Sequence, residues 1–341
     1  MSFEWPIKHE WLAKVKEDIV DPDQPIIDTH HHLWVLPSET YLLPEILKDT
    51  ETEKGTGHKI VATVYADCGS FYRPDGPAHL KTIGETEFAN GIAAQAHSGV
   101  FGPAKICAGI FSNADYRDPK IGETLDAHIA HAPERFRGIR THTVQDPLGA
   151  LGAYPNAPED MMVSKPFLNG LKEMAKRDLV SDMWGFHHQI LRTAEMARAV
   201  PEASIVLDHL GTPLGMDAYK GKQAEVYEEW KRGINDIAKC ENVVMKLGGM
   251  NMHFNGFDWH KPSLPPTSDQ LTEAYRPYYL YAIEKFGPNR CMFESNFPMD
   301  KRAVSYNVLW NMHKKMVKDF SKTEKQQMFY DTANRIYRLG L

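Results

Sequence analysis

Eight short apolar runs recur along this 341-residue chain, and helical patterns fill the spaces between them. The runs are PIIDTHH (25–31), KIVATVYA (59–66), KICAGIFS (105–112), FRGIRTH (136–142), DMWGFH (182–187), SIVLDHL (204–210), VVMKLGG (243–249) and CMFESNF (291–297). Each is rich in β-branched, aromatic or small residues, and several are apolar on both faces, as strands covered by helices on both sides must be. Segments such as GETEFANGIAAQAHS, PFLNGLKEMAKRD and TEAYRPYYLYAIEKF carry the helical spacing. Strict alternation of strand and helix predicts βα units and a parallel sheet. Eight units predict a (β/α)8 TIM barrel, distorted by long loops and preceded by a helical N-terminal extension over 1–24. No GxGxxG follows the first run, which argues against an open dinucleotide-binding sheet and a nucleotide cofactor.

The loops are unequal. Segments that lead into strands are short (AHAPER, CEN, GPNR), whereas QDPLGALGAYPNAPEDMMVSK, GTPLGMDAYKGKQ and MNMHFNGFDWHKPSLPPTSDQ leave strands four, six and seven. In a barrel the segments that leave strands gather at the C-terminal rim, so a covered pocket is expected there. The residues read as one domain, 1–341, with no repeat beyond the βα alternation. A formal net charge of -6 and no Lys/Arg cluster argue against nucleic acid as a partner. No apolar run is long enough for a bilayer, and the N-terminus lacks the pattern of a signal peptide. The cysteines at 68, 107, 240 and 291 form no CxxC pair and read as reduced core thiols, which suits the cytoplasm.

The first run continues into DTHHHLW (28–34). Alternate strand residues share a face, so His30 and His32 point one way and His31 the other. The pair suits two ligands on one metal ion or two donors to one substrate oxygen, and His31 suits packing against the helical layer. Asp28 shares the parity of the pair and is a candidate to orient a histidine. His142, His187 and His209 recur at later strand ends. Any one of them alone reads as a structural histidine, whereas several in one barrel point to a site at the rim.

In this order, IIDTHHHLW, FRGIRTH, DMWGFHHQ, VLDHLGTP, VVMKLGG and CMFESNFPMD resemble the amidohydrolase superfamily, and within it the branch of 2-pyrone-4,6-dicarboxylate and sugar-acid lactonases. The resemblance implies that His30, His32 and His209 polarise a substrate carbonyl, directly or through one divalent metal, zinc or manganese. It implies substrate contacts from Arg140, His187 and Gln189, and it allows a homodimer. The chain departs from the pattern at strand eight. The superfamily carries an Asp there that takes the proton of the attacking water, and this chain has Asn296. An amide has no basic site near neutral pH, so Asn296 can hold a water or bind a metal weakly but cannot be the base.

Glu294 shares the parity of Asn296 two residues earlier and is the candidate to replace the base or to act as a ligand. A structural ion pair with Lys246 or Arg140 is the other reading. Asp300 is a second candidate base, or the start of a helix. Lys246, within an apolar strand, needs a partner, either a substrate anion or Glu294. Tyr72, Arg73, His253 and His260 lie on loops that leave strands and either line the pocket or face solvent. The leading expectation is a hydrolase that opens a lactone-like small molecule. A metal-dependent decarboxylase and a catalytically impaired binding protein are the alternatives.

Overall fold

All eight runs form strands of one sheet in a computed structural model that describes residues 6–52, 54–149 and 156–341. They are β1 (Ile26–His31), β2 (Ile60–Tyr65), β3 (Lys105–Ser112), β4 (Phe136–His142), β5 (Val180–Trp184), β6 (Ser204–Leu207), β7 (Val243–Leu247) and β8 (Cys291–Phe293). Each pairs in parallel with its sequence neighbour. β8 returns to β1 through its exit: Asn296 N donates to His30 O at 2.9 Å and His32 N to Phe297 O at 2.7 Å. Eight parallel strands in a nearly closed ring form the expected TIM barrel.

One helix follows each strand: α1 (Leu43–Thr50), α2 (Ile83–Ala96), α3 (Ile121–His131), α4 (Lys165–Lys176), α5 (Ile190–Ala199), α6 (Gln223–Ile237), α7 (Ser268–Phe286) and α8 (Tyr306–Met316). Their starts are written in the sequence where a hydroxyl caps them. Thr267 accepts from Gln270 N at the head of α7, and Ser305 accepts from Val308 N at the head of α8. A last helix, α9 (Thr332–Tyr337), turns back under the barrel.

The apolar core divides into layers. Ile27, Val64, Phe111, Val206, Val244 and Met292 face inward and meet Tyr337 of α9, which closes one end. A larger cluster fills the space between strands and helices. A third, of Val144, Phe186, Leu214, Met252 and Phe254, joins the segments that leave β4 to β7. Those long loops therefore pack on one another over the C-terminal rim, although residues 150–155 of the loop after β4 lie outside the described residues.

Three local expectations change. β5 ends at Trp184, so His187 falls in a turn beyond it, and β8 ends at Phe293, before Glu294. The N-terminal extension is helical over only His9–Leu12, and residues 1–5 lie outside the described residues. It is tied down by polar contacts instead: Trp11 Nε1 donates to Pro262 O at 3.1 Å, and Glu17 accepts from Ser268 N at 2.8 Å at the head of α7.

Candidate active site

His30 and His32 converge as their shared face predicts, with their Nε2 atoms 3.2 Å apart. His31 turns away and meets Thr63 Oγ1 at 2.8 Å on β2. Pairing between β1 and β2 is irregular from Asp28 to His31, which breaks the parity that linked Asp28 to His30. Asp28 instead clamps the barrel seam, accepting from Ser295 N at 2.8 Å and from the Tyr306 hydroxyl at 2.9 Å. Burial pushes its carboxyl up to about 6.

His209 reaches the same point from the exit of β6, on a backbone turned left-handed at φ 54°. Its ring centre lies 4.7 Å from that of His30. Glu294 Oε1 accepts from His209 Nδ1 at 2.7 Å, and Oε2 lies 3.4 Å from His30 Nδ1. The carboxylate thus bridges the inner nitrogens of two imidazoles. The glycines of VVMKLGG make this contact possible: a Cβ at Gly248 would lie 2.3 Å from Glu294 Cγ, and one at Gly249, whose φ is +68°, would lie 2.6 Å from His209 Cβ. His30, His209 and Glu294 are almost completely buried, so the cluster sits in a water-poor setting.

Beneath the histidines lies a layer of charge that the sequence reading did not assemble. Lys246 Nζ donates to Asp182 Oδ2 at 2.6 Å, lies 3.0 Å from Asp208 Oδ1, and is 3.0 Å from His30 Nδ1. Its ion-pair partners are these two aspartates rather than Glu294. Arg140 Nε donates to Asp208 Oδ2 at 2.9 Å, and its Nη1 lies 3.7 Å from Asp67 Oδ1. Its guanidinium also stands 5.3 Å from the centre of the Trp184 ring. Burial alone would lower the Lys246 ammonium, but Asp182 and Asp208 outweigh it and leave the group raised. Burial opposes charge on Asp208, yet Lys246, His209 and Arg140 hold its carboxyl well below the ordinary range. Asp182, pushed up by burial and then by Asp208, reaches about 7. Burial first, and then Lys246, keeps His30 well below the usual histidine value; burial and Arg140 do the same to His32. Both rings are therefore neutral at physiological pH. Even spacing could have revealed Asp182 and Asp208: each lies two residues beyond an inward valine, Val180 and Val206.

Several expected site residues go elsewhere. His187 meets Tyr219, and its Nε2 lies 3.6 Å from Glu229 Oε2 on α6. Trp184 takes its place beside the cluster, with its ring 6.3 Å from that of His209. Gln189 is occupied by backbone: Oε1 accepts from Gln145 N and Phe186 N, both at 3.1 Å, and Nε2 donates to Thr143 O at 2.8 Å. It ties together the exits of β4 and β5. Arg73 pairs with Glu87 on α2, and Tyr72 on the same loop is partly exposed. His253 and His260 line a small cavity with Asn251 and Arg302. His142 ends β4, half-buried. Asn296 donates through Nδ2 to Asp300 Oδ1 at 2.8 Å, and Asp300 Oδ2 accepts from Asn251 Nδ2 at 2.9 Å. Burial, chiefly, raises Asp300 to about 7.

By position, His30, His209 and Glu294 could hold a metal ion, since they offer ligand atoms within 4.8 Å of one another. The 3.2 Å between the Nε2 atoms of His30 and His32 also fits the edge of about 3.3 Å that two nitrogens share on a tetrahedral ion with bonds near 2.05 Å. A second group, His30 with Asp182 and Asp208, already encloses a cation, the Lys246 ammonium.

The amidohydrolase family profile matches residues 27–339. The chain belongs to the amidohydrolase family. This amidohydrolase is 32% identical to the uncharacterised protein y4mH of Sinorhizobium fredii, over 93% of this chain and 99% of that one. It is 24% identical to an L-fucono-1,5-lactonase of Burkholderia multivorans, over 92% of this chain and 96% of the relative. Among solved structures, a zinc-bound amidohydrolase of Burkholderia multivorans matches with a TM-score of 0.69 at 20% identity, over 92% of this chain and 99% of that chain. A putative 2-pyrone-4,6-dicarboxylic acid hydrolase from Pseudomonas putida matches at 0.61 and 16% identity, over 93% of this chain and 99% of that one. A manganese-bound 5-carboxyvanillate decarboxylase from Novosphingobium aromaticivorans matches at 0.56 and 12% identity, over 93% of this chain and 97% of that one. These structural likenesses carry the fold. No helix of the described residues is long and apolar enough to cross a membrane.

Proposed function

We propose that this amidohydrolase opens a lactone-like cyclic ester by adding water. The observation that carries the reading is the buried contact of Glu294 Oε1 with His209 Nδ1 at 2.7 Å, beside the His30–His32 pair. The lactonase relative, at 24% identity over nearly the whole chain, supports the same class. An ionised carboxylate can only accept a hydrogen bond, so Glu294 fixes the His209 proton on Nδ1 and leaves a lone pair on Nε2. That lone pair takes the proton as the water oxygen bonds to the carbonyl carbon. His209 then returns the proton to the ring oxygen as its bond to that carbon breaks, giving a hydroxy acid. The Arg140 guanidinium, beside the Trp184 ring, is the cation that would stabilise the developing oxyanion in a setting with little water to compete. A divalent metal held by His30, His32 and His209, zinc or manganese, would supply a Lewis acid for the carbonyl oxygen and acidify the water. The lone pair of His209 serves either that ion or the proton.

A panel of five- and six-membered sugar-acid lactones and pyrone carboxylates, followed with a pH indicator, tests the reading. Acid release by the wild-type protein is expected, and Glu294→Gln should lower kcat/KM by about 10²–10⁴-fold with the far-UV circular dichroism unchanged. Equal rates in the two proteins would refute the role of Glu294. No acid from any lactone, with carbon dioxide released from a hydroxybenzoate, would replace the hydrolase reading with a decarboxylase.

A further inference from the structure

The buried lysine of β7 has a consequence for the histidine pair that can be read from hydrogen-bond direction. An ammonium has hydrogens to give and no lone pair, and a carbonyl oxygen has lone pairs and no hydrogen. These two ends define a chain. Lys246 Nζ stands 3.0 Å from His30 Nδ1, which must therefore accept. A neutral His30 then carries its proton on Nε2, 3.2 Å from His32 Nε2. At the far end His32 Nδ1 lies 2.9 Å from Ala66 O and must donate, which leaves a lone pair on His32 Nε2 for the His30 proton. Every link from Lys246 to Ala66 is consistent in one direction only.

Other acceptors compete for His30 Nδ1. Glu294 Oε2 lies 3.4 Å away and Asp208 Oδ1 3.9 Å away. A proton on Nδ1 would satisfy them but would meet the ammonium hydrogen head to head at 3.0 Å. Lys246 cannot readily withdraw. Asp182 on β5 and Asp208 after β6 hold it from two sides, and the rings of Phe111 on β3 and Tyr337 on α9 stand 5.8 and 6.0 Å from its charge.

We propose that Lys246 is a positioning residue that keeps the His30 proton on Nε2, so that His30 and His32 form a hydrogen-bonded pair with low affinity for a divalent metal. A metal ligand needs a lone pair where His30 presents an N–H. With the ammonium removed, the His30 proton moves to Nδ1 and donates to Glu294 Oε2. Nε2 is freed beside that of His32, in the carboxylate–histidine arrangement that favours metal binding. The proposal rests on His30 and His32 belonging to the site, not on the lactone as substrate, and neither measurement below uses a lactone.

Lys246→Met alone would leave two buried carboxylates without their cation, so the test uses Lys246→Met with Asp182→Asn, which keeps the local charge. Chelator-stripped protein is titrated with zinc against a chromogenic chelator. The double variant should bind one zinc at least about tenfold more tightly than the wild type, the scale on which outer partners of a ligand act. Adding His32→Ala should abolish the gain. Equal affinity in wild type and double variant overturns the proposal. So does a gain that survives His32→Ala, which would place the ion at Asp208 and His30 instead. The wild type supplies a second measurement that needs no stable variant at Lys246. With 15N-labelled histidine, the resonances lost in His30→Gln should show the Nε2–H tautomer, and an Nδ1–H pattern there overturns the assignment.

Discussion

Asn296 occupies the position at which the superfamily pattern has a carboxylate, and its neighbour explains why a carboxylate is unwelcome. Its amide donates to Asp300 Oδ1 at 2.8 Å, in a pocket where both side chains are buried. An Asp at 296 would place two carboxylates against each other, and such pairs share one proton. Burial already raises Asp300 above the ordinary carboxylate range, to about 7. A carboxyl raised in the folded state favours folding below its unfolded value, and that contribution is lost as pH rises through the folded one. A second raised carboxyl adds a term of the same sign. Asn296→Asp should therefore come close to the wild type only below about pH 4 and fall below it by roughly 1–3 kcal/mol at pH 8, at about 1.4 kcal/mol for each unit of added shift. Urea unfolding at about pH 4, 6 and 8 measures this, and a stability difference that stays constant across the series would contradict it.

At the scale of elements, the turn after β7 is what lets Glu294 meet His209. Gly248 has Glu294 Cγ 2.3 Å from where its Cβ would be, and the Glu294 carbonyl oxygen at 2.8 Å. Backbone cannot move aside as a side-chain tip can. Gly248→Ala should push Glu294 off His209, lowering kcat/KM at least about 10²-fold, with a loss of roughly 1–3 kcal/mol from overpacking. Activity within a few-fold of wild type in that variant would show that the contact is not needed. The same elements explain how far the sequence could be read. The alternation of runs and helices sufficed for the barrel, because it is a pattern of whole elements. The residues of DTHHHLW that meet at the rim followed from period two. Period two failed where the chain left the ladder. The irregular pairing after Asp28 took that residue to Tyr306, and the end of β5 at Trp184 left His187 facing α6. Nothing local in DMWGFHHQ marks where its partner strand stops supplying hydrogen bonds. Glu294 arrives at the cluster although β8 stops one residue before it, whereas Asn296, with φ at 53°, turns toward Asp300. The ion pairs of Lys246 were hidden for a different reason: Asp182 and Asp208 lie on other strands, and only barrel closure brings them within 3.0 Å of it.

Across the whole molecule, the barrel interior is stacked from an apolar floor through a layer of ion pairs to the histidine rim. The floor is supplied partly by the end of the chain. Tyr337 of α9 is fully buried, packs edge-on against Phe111 with ring centres 5.1 Å apart, and faces Lys246 at 6.0 Å. A charged lysine with no access to water depends on a complete enclosure, because a cavity below it would invite solvent into the layer that fixes Asp182 and Asp208. Tyr337→Ala should cost about 3–5 kcal/mol, as large-to-small changes of buried aromatics do. The hydroxyl of Tyr337 has no hydrogen-bond partner among the described residues, so Tyr337→Phe keeps the ring, loses nothing it needs, and should stay within about 0.5 kcal/mol of the wild type. Urea unfolding of the two variants separates the filling of the floor from the chemistry of the phenol. If the Phe variant lost as much as the Ala variant, the hydroxyl would have to be held by a water inside the barrel, and the floor beneath Lys246 would be wet.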